Sequence, residues 1–195
     1  MFLVKFSSAG VHTWSKRFGS STGESAHSVA ASGSDDIVMT GEFYSSIDFG
    51  SGPLTNTGGG DIYLAEFSAS GVSRWSKQFG TSGTFGAAGQ AVAVDSAGNI
   101  ALTGTILDGV DFGGGPLGPT GSNDPYVAKF TSGGVHVWSK RFAGSYDDHG
   151  QGIVMDVDGN VVFTGDFYES VDFGGGPLLS PWPSGTDGFI SKYKP

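Results

Sequence analysis

The pentapeptide WSKRF occupies Trp14 to Phe18, returns as WSKQF at Trp75 to Phe79 and occurs again as WSKRF at Trp138 to Phe142. Other short motifs keep the same spacing of about 60 residues. They are an Asp-Phe pair at Asp48, Asp111 and Asp172, a Pro-Leu pair at Pro53, Pro116 and Pro177, and a Thr-Gly pair at Thr40, Thr103 and Thr164. A fixed period of this kind predicts a repeat architecture. We expect one domain over 1–195, with repeats at about 1–60, 61–123 and 124–186 and an extra strand at 187–195.

Apolar residues alternate with polar residues inside each repeat, which is the period of a β-strand. Four strands are predicted in each repeat. Those assigned around the second copy are Ile62 to Phe67, Ser73 to Phe79, Gln90 to Val94 and Asn99 to Thr105. Glycines interrupt every stretch that could present apolar residues at helical spacing, so we expect almost no helix.

Four antiparallel strands repeated at a fixed step predict an all-β chain, a β-propeller with three four-stranded blades. The strands that begin near His27, Gln90 and Gln151 carry small side chains and are expected to be innermost, with the tryptophan strand at the rim. Propellers have about four to eight blades, and three would leave wide gaps between them. The sequence therefore predicts that a homodimer completes a six-bladed ring, or that copies add to one another as a filament.

The two ends of the chain repeat the same strand, because Phe2 to Phe6 matches Phe189 to Tyr193. Both segments correspond to the third strand of a blade, so one of the two is surplus. We expect strand exchange between copies to use this duplication. The residues predicted to carry assembly are Phe2, Val4, Phe6, Phe189, Ile190 and Tyr193.

Composition argues against several classes of function. Ten Lys and Arg against nineteen Asp and Glu give a formal net charge of −9, which disfavours nucleic acid and anionic membranes as partners. The absence of cysteine excludes disulfides, thiolate metal sites and cysteine nucleophiles. The first apolar run ends at Lys5, too short for a signal peptide or a membrane span, so we expect no membrane insertion.

Motifs for catalysis are missing from the sequence. It contains no GxSxG, no HExxH and no phosphate-binding loop, and its four histidines have no metal-site spacing. We expect a protein that is not an enzyme and has no cofactor and no bound metal. Asp156-Val-Asp158-Gly-Asn160 resembles the start of a calcium loop but lacks the distal glutamate, so a hairpin turn is favoured and calcium dependence stays open. Asp48, Asp111 and Asp172 are expected to cap glycine-rich loops.

Residues that break the repeat are the better candidates for a ligand site, because scaffold needs are shared by all repeats. Tyr146-Asp147-Asp148-His149 replaces Ser20 to Glu24 and Thr84-Phe85-Gly86, and Leu179 to Ser184 adds Trp182. With both loops expected on one face, these side chains predict carbohydrate binding by stacking and hydrogen bonding. The alternative is that Trp182 packs on a sheet edge or dimer contact and that Asp147-Asp148 is a solvated turn.

A second set of candidates lies at equivalent positions in the three repeats. It consists of His27, Gln90 and Gln151. Their polar side chains could rim the central channel and offer hydrogen bonds to a ligand. The alternative is that they close the ends of the inner strands.

The chain also resembles a known repeat family. YLAEFSASGVSRWSKQFG (Tyr63 to Gly80), AVAVDSAGNIALTG (Ala91 to Gly104) and VDFGGGPL (Val110 to Leu117) are similar to the bacterial SBBP-type β-propeller repeats, found in tandem in secreted and surface lipoproteins of myxobacteria and their relatives. The resemblance covers essentially the whole chain. It implies a propeller scaffold that is extracellular or at the cell surface, and it does not indicate any particular activity.

Overall fold

The computed structural model describes residues 1–19, 22–83, 86–107, 109–118, 122–142, 144, 146–182 and 185–194. All regular secondary structure in them is β, and there is no helix among them, which confirms the prediction of an all-β chain over these residues. The strands are β1 (Phe2–Phe6), β2 (His12–Arg17), β3 (Glu24–Ala31), β4 (Ile37–Phe43), β5 (Ser46–Asp48), β6 (Pro53–Thr55), β7 (Asp61–Phe67), β8 (Ser73–Phe79), β9 (Ala88–Val94), β10 (Ile100–Ile106), β11 (Asp124–Phe130), β12 (His136–Arg141), β13 (His149–Met155), β14 (Val161–Tyr168), β15 (Ser170–Asp172), β16 (Pro177–Leu179) and β17 (Thr186–Tyr193).

Three antiparallel sheets and one hairpin contain most of these strands. Sheet I has the order β3-β4-β7-β8, sheet II the order β9-β10-β11-β12 and sheet III the order β13-β14-β17, while β1 and β2 form the N-terminal hairpin. The predicted strand order within a repeat is confirmed, since the strand of Gln90 lies at one edge of sheet II and the strand of Trp138 at the other. Among the described strands no sheet closes on itself, and the propeller arrangement stays a prediction.

The Thr-Gly pair of each repeat joins neighbouring strands of a sheet. Each threonine hydroxyl donates to a carbonyl oxygen in the third strand: Thr40 to Tyr63 at 2.8 Å, Thr103 to Tyr126 at 2.6 Å and Thr164 to Phe189 at 2.6 Å. The neighbouring glycine lies against the first strand, where a Cβ on Gly104 would be 2.0 Å from the carbonyl oxygen of Ala88. The pair therefore allows three strands to approach closely at one point.

Aromatic clusters fill the three junctions between successive units. The first, between the hairpin and sheet I, contains Phe18, Phe49, Tyr63 and Phe67, the second contains Phe79, Phe112, Tyr126 and Phe130, and the third contains Phe142, Phe173, Phe189 and Tyr193. Trp14, Trp75 and Trp138 pack beside the corresponding clusters. The repeated aromatic residues thus form repeated junctions.

Two short ribbons occupy segments for which the sequence predicts only glycine-rich connections. They pair β5 with β6 and β15 with β16. Asp48 closes the first ribbon, because its Oδ1 accepts hydrogen bonds from the backbone N–H groups of Gly50 at 2.7 Å and Gly52 at 3.2 Å. Asp111 and Asp172 accept the same pair of bonds in their loops. The capping interpretation of these aspartates is confirmed.

Candidate functional site

The loop between β12 and β13 borders a cavity of about 370 Å³, which we call the His149 cavity. The described residues that line it are Tyr146, Asp147, His149, Asp166, Tyr168 and Thr186. The Tyr146 and Tyr168 rings meet edge to face, with centroids 4.8 Å apart and an angle of 64°. Tyr146, Asp147 and His149, all predicted site residues, therefore border one cavity.

Asp166 also lines this cavity, and the repeat pattern does not predict it as a site residue. Its Oδ2 lies 3.0 Å from Nδ1 of His149, and its Oδ1 accepts a hydrogen bond from the side-chain amide of Gln151. Asp166 lies opposite His149 in the pairing of β13 with β14. The signal in the sequence is its position beside the Thr-Gly pair, where the first repeat has Glu42. The carboxylate fixes the orientation of the imidazole at the cavity wall.

Asp148 and Asp147 have opposite environments. Asp148 is fully buried, with Oδ1 accepting the backbone N–H of Tyr168 at 2.7 Å, and its Oδ2 has no hydrogen-bond partner among the described residues. Burial raises the pKa of Asp148 to about 6, although the Tyr168 N–H lowers it, and the charge of nearby Asp124 raises it. Asp147 is exposed and its Oδ1 accepts the backbone N–H of Asn123 at 2.9 Å. The solvated-turn alternative therefore fits Asp147 and is wrong for Asp148.

Trp182 is placed apart from these residues. It is 70 % exposed, lies in a turn closed by Ser180, and is not among the described residues that line the His149 cavity. Pro183 and Ser184 of the predicted loop lie outside the described residues, as do Ser20, Thr84 and Phe85 of the counterpart loops. Among the described residues, the aromatic side chains that line the His149 cavity are therefore Tyr146 and Tyr168, and not this tryptophan.

The predicted channel-rim residues share one structural feature, a β-bulge. His27, Gln90 and Gln151 are each the extra residue at a shift of register between the first and second strands of a sheet. A bulge turns one side chain away from the regular alternation of a strand. His27 Nε2 thereby lies 2.8 Å from a carboxylate oxygen of Glu42, and Gln151 reaches Asp166. Gln90 lines a separate cavity of about 280 Å³ together with Tyr44.

The predicted assembly residues divide into exposed and buried groups. Phe2, Phe6 and Ile190 are exposed, and Val4 is half-buried. Phe189 is buried, with its ring centroid 4.6 Å from that of Phe173, and the Tyr193 hydroxyl donates to the Phe173 carbonyl oxygen. The side chains of Phe189 and Tyr193 therefore stabilise sheet III of their own chain and are not available to a partner.

The calcium-like stretch forms a hairpin turn. Asp156 Oδ1 accepts the backbone N–H groups of Asp158 and Asn160, and Oδ2 lies 2.6 Å from Lys192 Nζ. These donors occupy both carboxylate oxygens, as the turn interpretation requires. Across the described ranges no group of three or more His, Asp or Glu side chains is arranged to hold a metal ion. Those ranges also include no helix with the length and hydrophobicity needed to cross a membrane.

Comparison with known proteins adds no assignment. No protein-family model matches the chain, and no curated protein sequence matches it. The similarity to SBBP-type repeats therefore stays a prediction from the motifs quoted above.

Proposed function

We propose that the chain is a non-enzymatic β-propeller scaffold that acts by self-assembly, and that two copies complete a six-bladed ring by exchanging strands. The equivalence of the repeats supports the proposal. Each junction between two sheets inside the chain is packed, whereas the junction of the N-terminal hairpin with sheet I leaves a groove beside its aromatic cluster, and sheet III leaves Val154 and Ile190 exposed. A second copy has the strands that could pack at each of these two places.

A groove of about 340 Å³ between β1 and β3 is the single observation that carries this proposal. Its apolar lining includes Leu3, Phe6, Val29 and Ile37. At the inner junctions the corresponding space is filled, because β4 of sheet I packs against β9 and β10 of sheet II packs against β13. The N-terminal hairpin has no such strand among the described residues. We infer that β14 from sheet III of a second copy fills the groove.

The exposed valines at the two ends support the same contact. Val29 is 59 % exposed, whereas Val92 and Ile153, its equivalents in sheets II and III, are 6 % and 9 % exposed. Val154 is also exposed, although its equivalent Ala93 packs at the junction of sheets II and III. Sheet III of one copy placed against sheet I of the other would cover both valines. Applied twice about a twofold axis, this contact closes the ring and removes the apolar faces from water.

Of the two copies of the third strand, β17 is the better candidate to complete a sheet in the proposed assembly. It forms eight residue pairs with β14, and its Phe189 is buried, whereas β1 forms five pairs with β2 and leaves Phe2 and Phe6 exposed. Displacing β1 therefore costs less than displacing β17. We propose that β17 of one copy replaces β1 of the other and pairs with its β2, so that Ile190 enters the place of Leu3.

Solution mass tests the assembly. We expect the chain to run at twice its mass of 20.0 kDa in light scattering. Ile190→Lys should weaken the dimer at least about 100-fold, because the new charge would be buried against sheet I of the partner. Phe2→Lys is the matched control, since it lies on the displaced strand and should leave the dimer intact. A monodisperse species of one chain mass for the unaltered chain would overturn the proposal.

The register of the exchange can be tested by disulfide formation, since the chain has no cysteine. In sheet II Ala128 pairs with Ser139, and the equivalent pair between copies is Ser191 with Ser15. The Ser15→Cys, Ser191→Cys double variant should form an interchain disulfide. Ser8→Cys, Ser191→Cys should not, because Ser8 lies in the turn beyond β1. A dimer that forms without the first cross-link would contradict the exchange of β17 for β1.

A second candidate function is carbohydrate binding at the His149 cavity. Two tyrosine rings beside an imidazole and two carboxylates, Asp147 and Asp166, are suited to stack on a sugar and bond its hydroxyls. Against a panel of neutral oligosaccharides, Tyr146→Ala should weaken binding by about 10-fold. Trp182→Ala is the control for loss of an exposed aromatic ring and should bind normally. Binding lost only in Trp182→Ala would contradict this cavity as the site.

A further inference from the structure

A cavity of about 670 Å³ lies between sheets I and II, and we call it the Glu66 cavity. The turns β3–β4, β9–β10 and β11–β12 form its mouth. Glu66, Asp36, Arg74 and Trp75 line its interior. All its walls belong to one chain, so the cavity does not depend on the proposed assembly.

Glu66 is the exception at its position in the repeat. It pairs with Trp75 across β7 and β8, as Lys5 pairs with Trp14 and Lys129 with Trp138. The fourth equivalent, Lys192, is also a lysine. The other strands of this kind therefore present an ammonium group where sheet I presents a carboxylate.

The lysines show what normally occupies this space. Lys129 Nζ donates to the carbonyl oxygen of Gly159, in the inner hairpin turn of the next sheet, at 2.7 Å. Lys5 Nζ lies 3.7 Å from the carboxylate of Asp35, at the equivalent turn position of sheet I. The corresponding turn residue at the junction of sheets I and II is Gly98, which lines the Glu66 cavity. Asp35, Gly98 and Gly159 share a positive φ. Gly98 is thus retained at the position whose equivalents accept the lysine, but sheet I has Glu66 where the other units have that lysine.

The charges in the cavity favour a cation. Arg74 lies 2.8 Å from Asp36 and neutralises it. Glu66 is only 9 % exposed. Burial raises its pKa, while the neighbouring Trp75 indole N–H and Arg74 lower it and Asp36 raises it. Among the described residues, Trp75 Nε1 has no hydrogen-bond acceptor of normal geometry. Arg74 therefore lies beside two carboxylates, Asp36 and Glu66, and the cavity keeps one negative charge in excess beside an aromatic ring.

We propose that the Glu66 cavity binds a primary alkylammonium group, such as a lysyl side chain, in the place that the repeat lysine holds at the neighbouring junctions. The Glu66 carboxylate and the Gly98 carbonyl oxygen accept its N–H groups. The Trp75 ring contacts the alkyl chain and the cation, an arrangement that stabilises ammonium groups on aromatic faces. The remaining volume accommodates part of the molecule that carries the amine.

Calorimetry with n-butylammonium tests the site at about pH 8, where the amine is protonated and a carboxylate is ionised. We expect the unaltered chain to bind it and Glu66→Gln to weaken binding at least about 10-fold. Glu66→Lys restores the repeat residue and should abolish binding, because its own ammonium fills the position. Glu42→Gln, a like change outside the cavity, should have no effect.

Two further ligands sharpen the result. Tetramethylammonium has the same charge but no N–H group and should bind at least about 10-fold more weakly than n-butylammonium. N-acetyl-lysinamide should bind as well as n-butylammonium if the natural source is a lysyl side chain, and more weakly if it is a free amine. Absence of n-butylammonium binding, equal binding of tetramethylammonium, or unchanged binding in a folded Glu66→Lys chain would overturn the proposal. Circular dichroism establishes that the variants are folded.

Discussion

Gly104→Ala is expected to lower the free energy of unfolding by about 3 kcal/mol or more. A Cβ at this position would lie 2.0 Å from the carbonyl oxygen of Ala88 and 2.9 Å from the backbone nitrogen of Gln90. Both atoms belong to the bulged strand β9, so relief would require β9 and β10 to separate at their pairing. That movement would also strain the neighbouring bond from the Thr103 hydroxyl to the Tyr126 carbonyl oxygen. Urea unfolding followed by tryptophan fluorescence measures the loss.

Gly175→Ala is the matched control for this substitution. A Cβ on Gly175 would meet no atom within 4 Å, and its φ is not in the left-handed region. Its unfolding free energy should stay within about 0.5 kcal/mol of the unaltered chain. Equal unfolding midpoints for Gly104→Ala and Gly175→Ala would show that the close approach at the Thr-Gly pair does not limit the packing of the strands.

Asp148→Asn is expected to stabilise the chain at neutral pH by roughly 2 to 3 kcal/mol. The pKa of Asp148 is raised to about 6, so the folded chain holds this proton more tightly than the unfolded chain does. The stabilisation that the unaltered chain gains from this proton is present in full below the unfolded pKa of 3.8 and is lost as the pH rises through 6. The advantage of the uncharged asparagine therefore appears as the pH rises. Asparagine keeps a carbonyl oxygen for the Tyr168 N–H and carries no charge.

Thermal unfolding of the two chains at several pH values measures this effect. The variant should melt about 5 to 10 °C higher near pH 7.5, and the difference should shrink towards zero near pH 4.5. Asp147→Asn, which alters an exposed carboxylate, should follow the unaltered chain at every pH. A difference between Asp148→Asn and the unaltered chain that does not change with pH would contradict the raised pKa.

Part of the candidate site could be predicted from residues that interrupt the repeat. The segment from Tyr146 to His149 was identifiable because it differs from its counterparts Ser20 to Glu24 and Thr84 to Gly86, and three of its residues do border one cavity. Asp166 could not be identified in this way. Its role depends on pairing opposite His149 across two strands, and pairing partners are separated in the sequence. Trp182 also interrupts the repeat, but it is 70 % exposed and is not among the described residues that line the cavity.

The sequence by itself determined the repeat, the all-β class and the order of strands within each sheet. Those properties depend on alternation and on motif spacing, which are local and recur along the chain. Only the tertiary structure decided that Asp148 is buried while Asp147 is exposed, that His27, Gln90 and Gln151 are bulge residues, and that Glu66 faces a cavity. Burial and charge pairing depend on which sheets pack against each other. The effect of having Glu66 in place of the repeat lysine is therefore visible only in the packing of sheet I against sheet II.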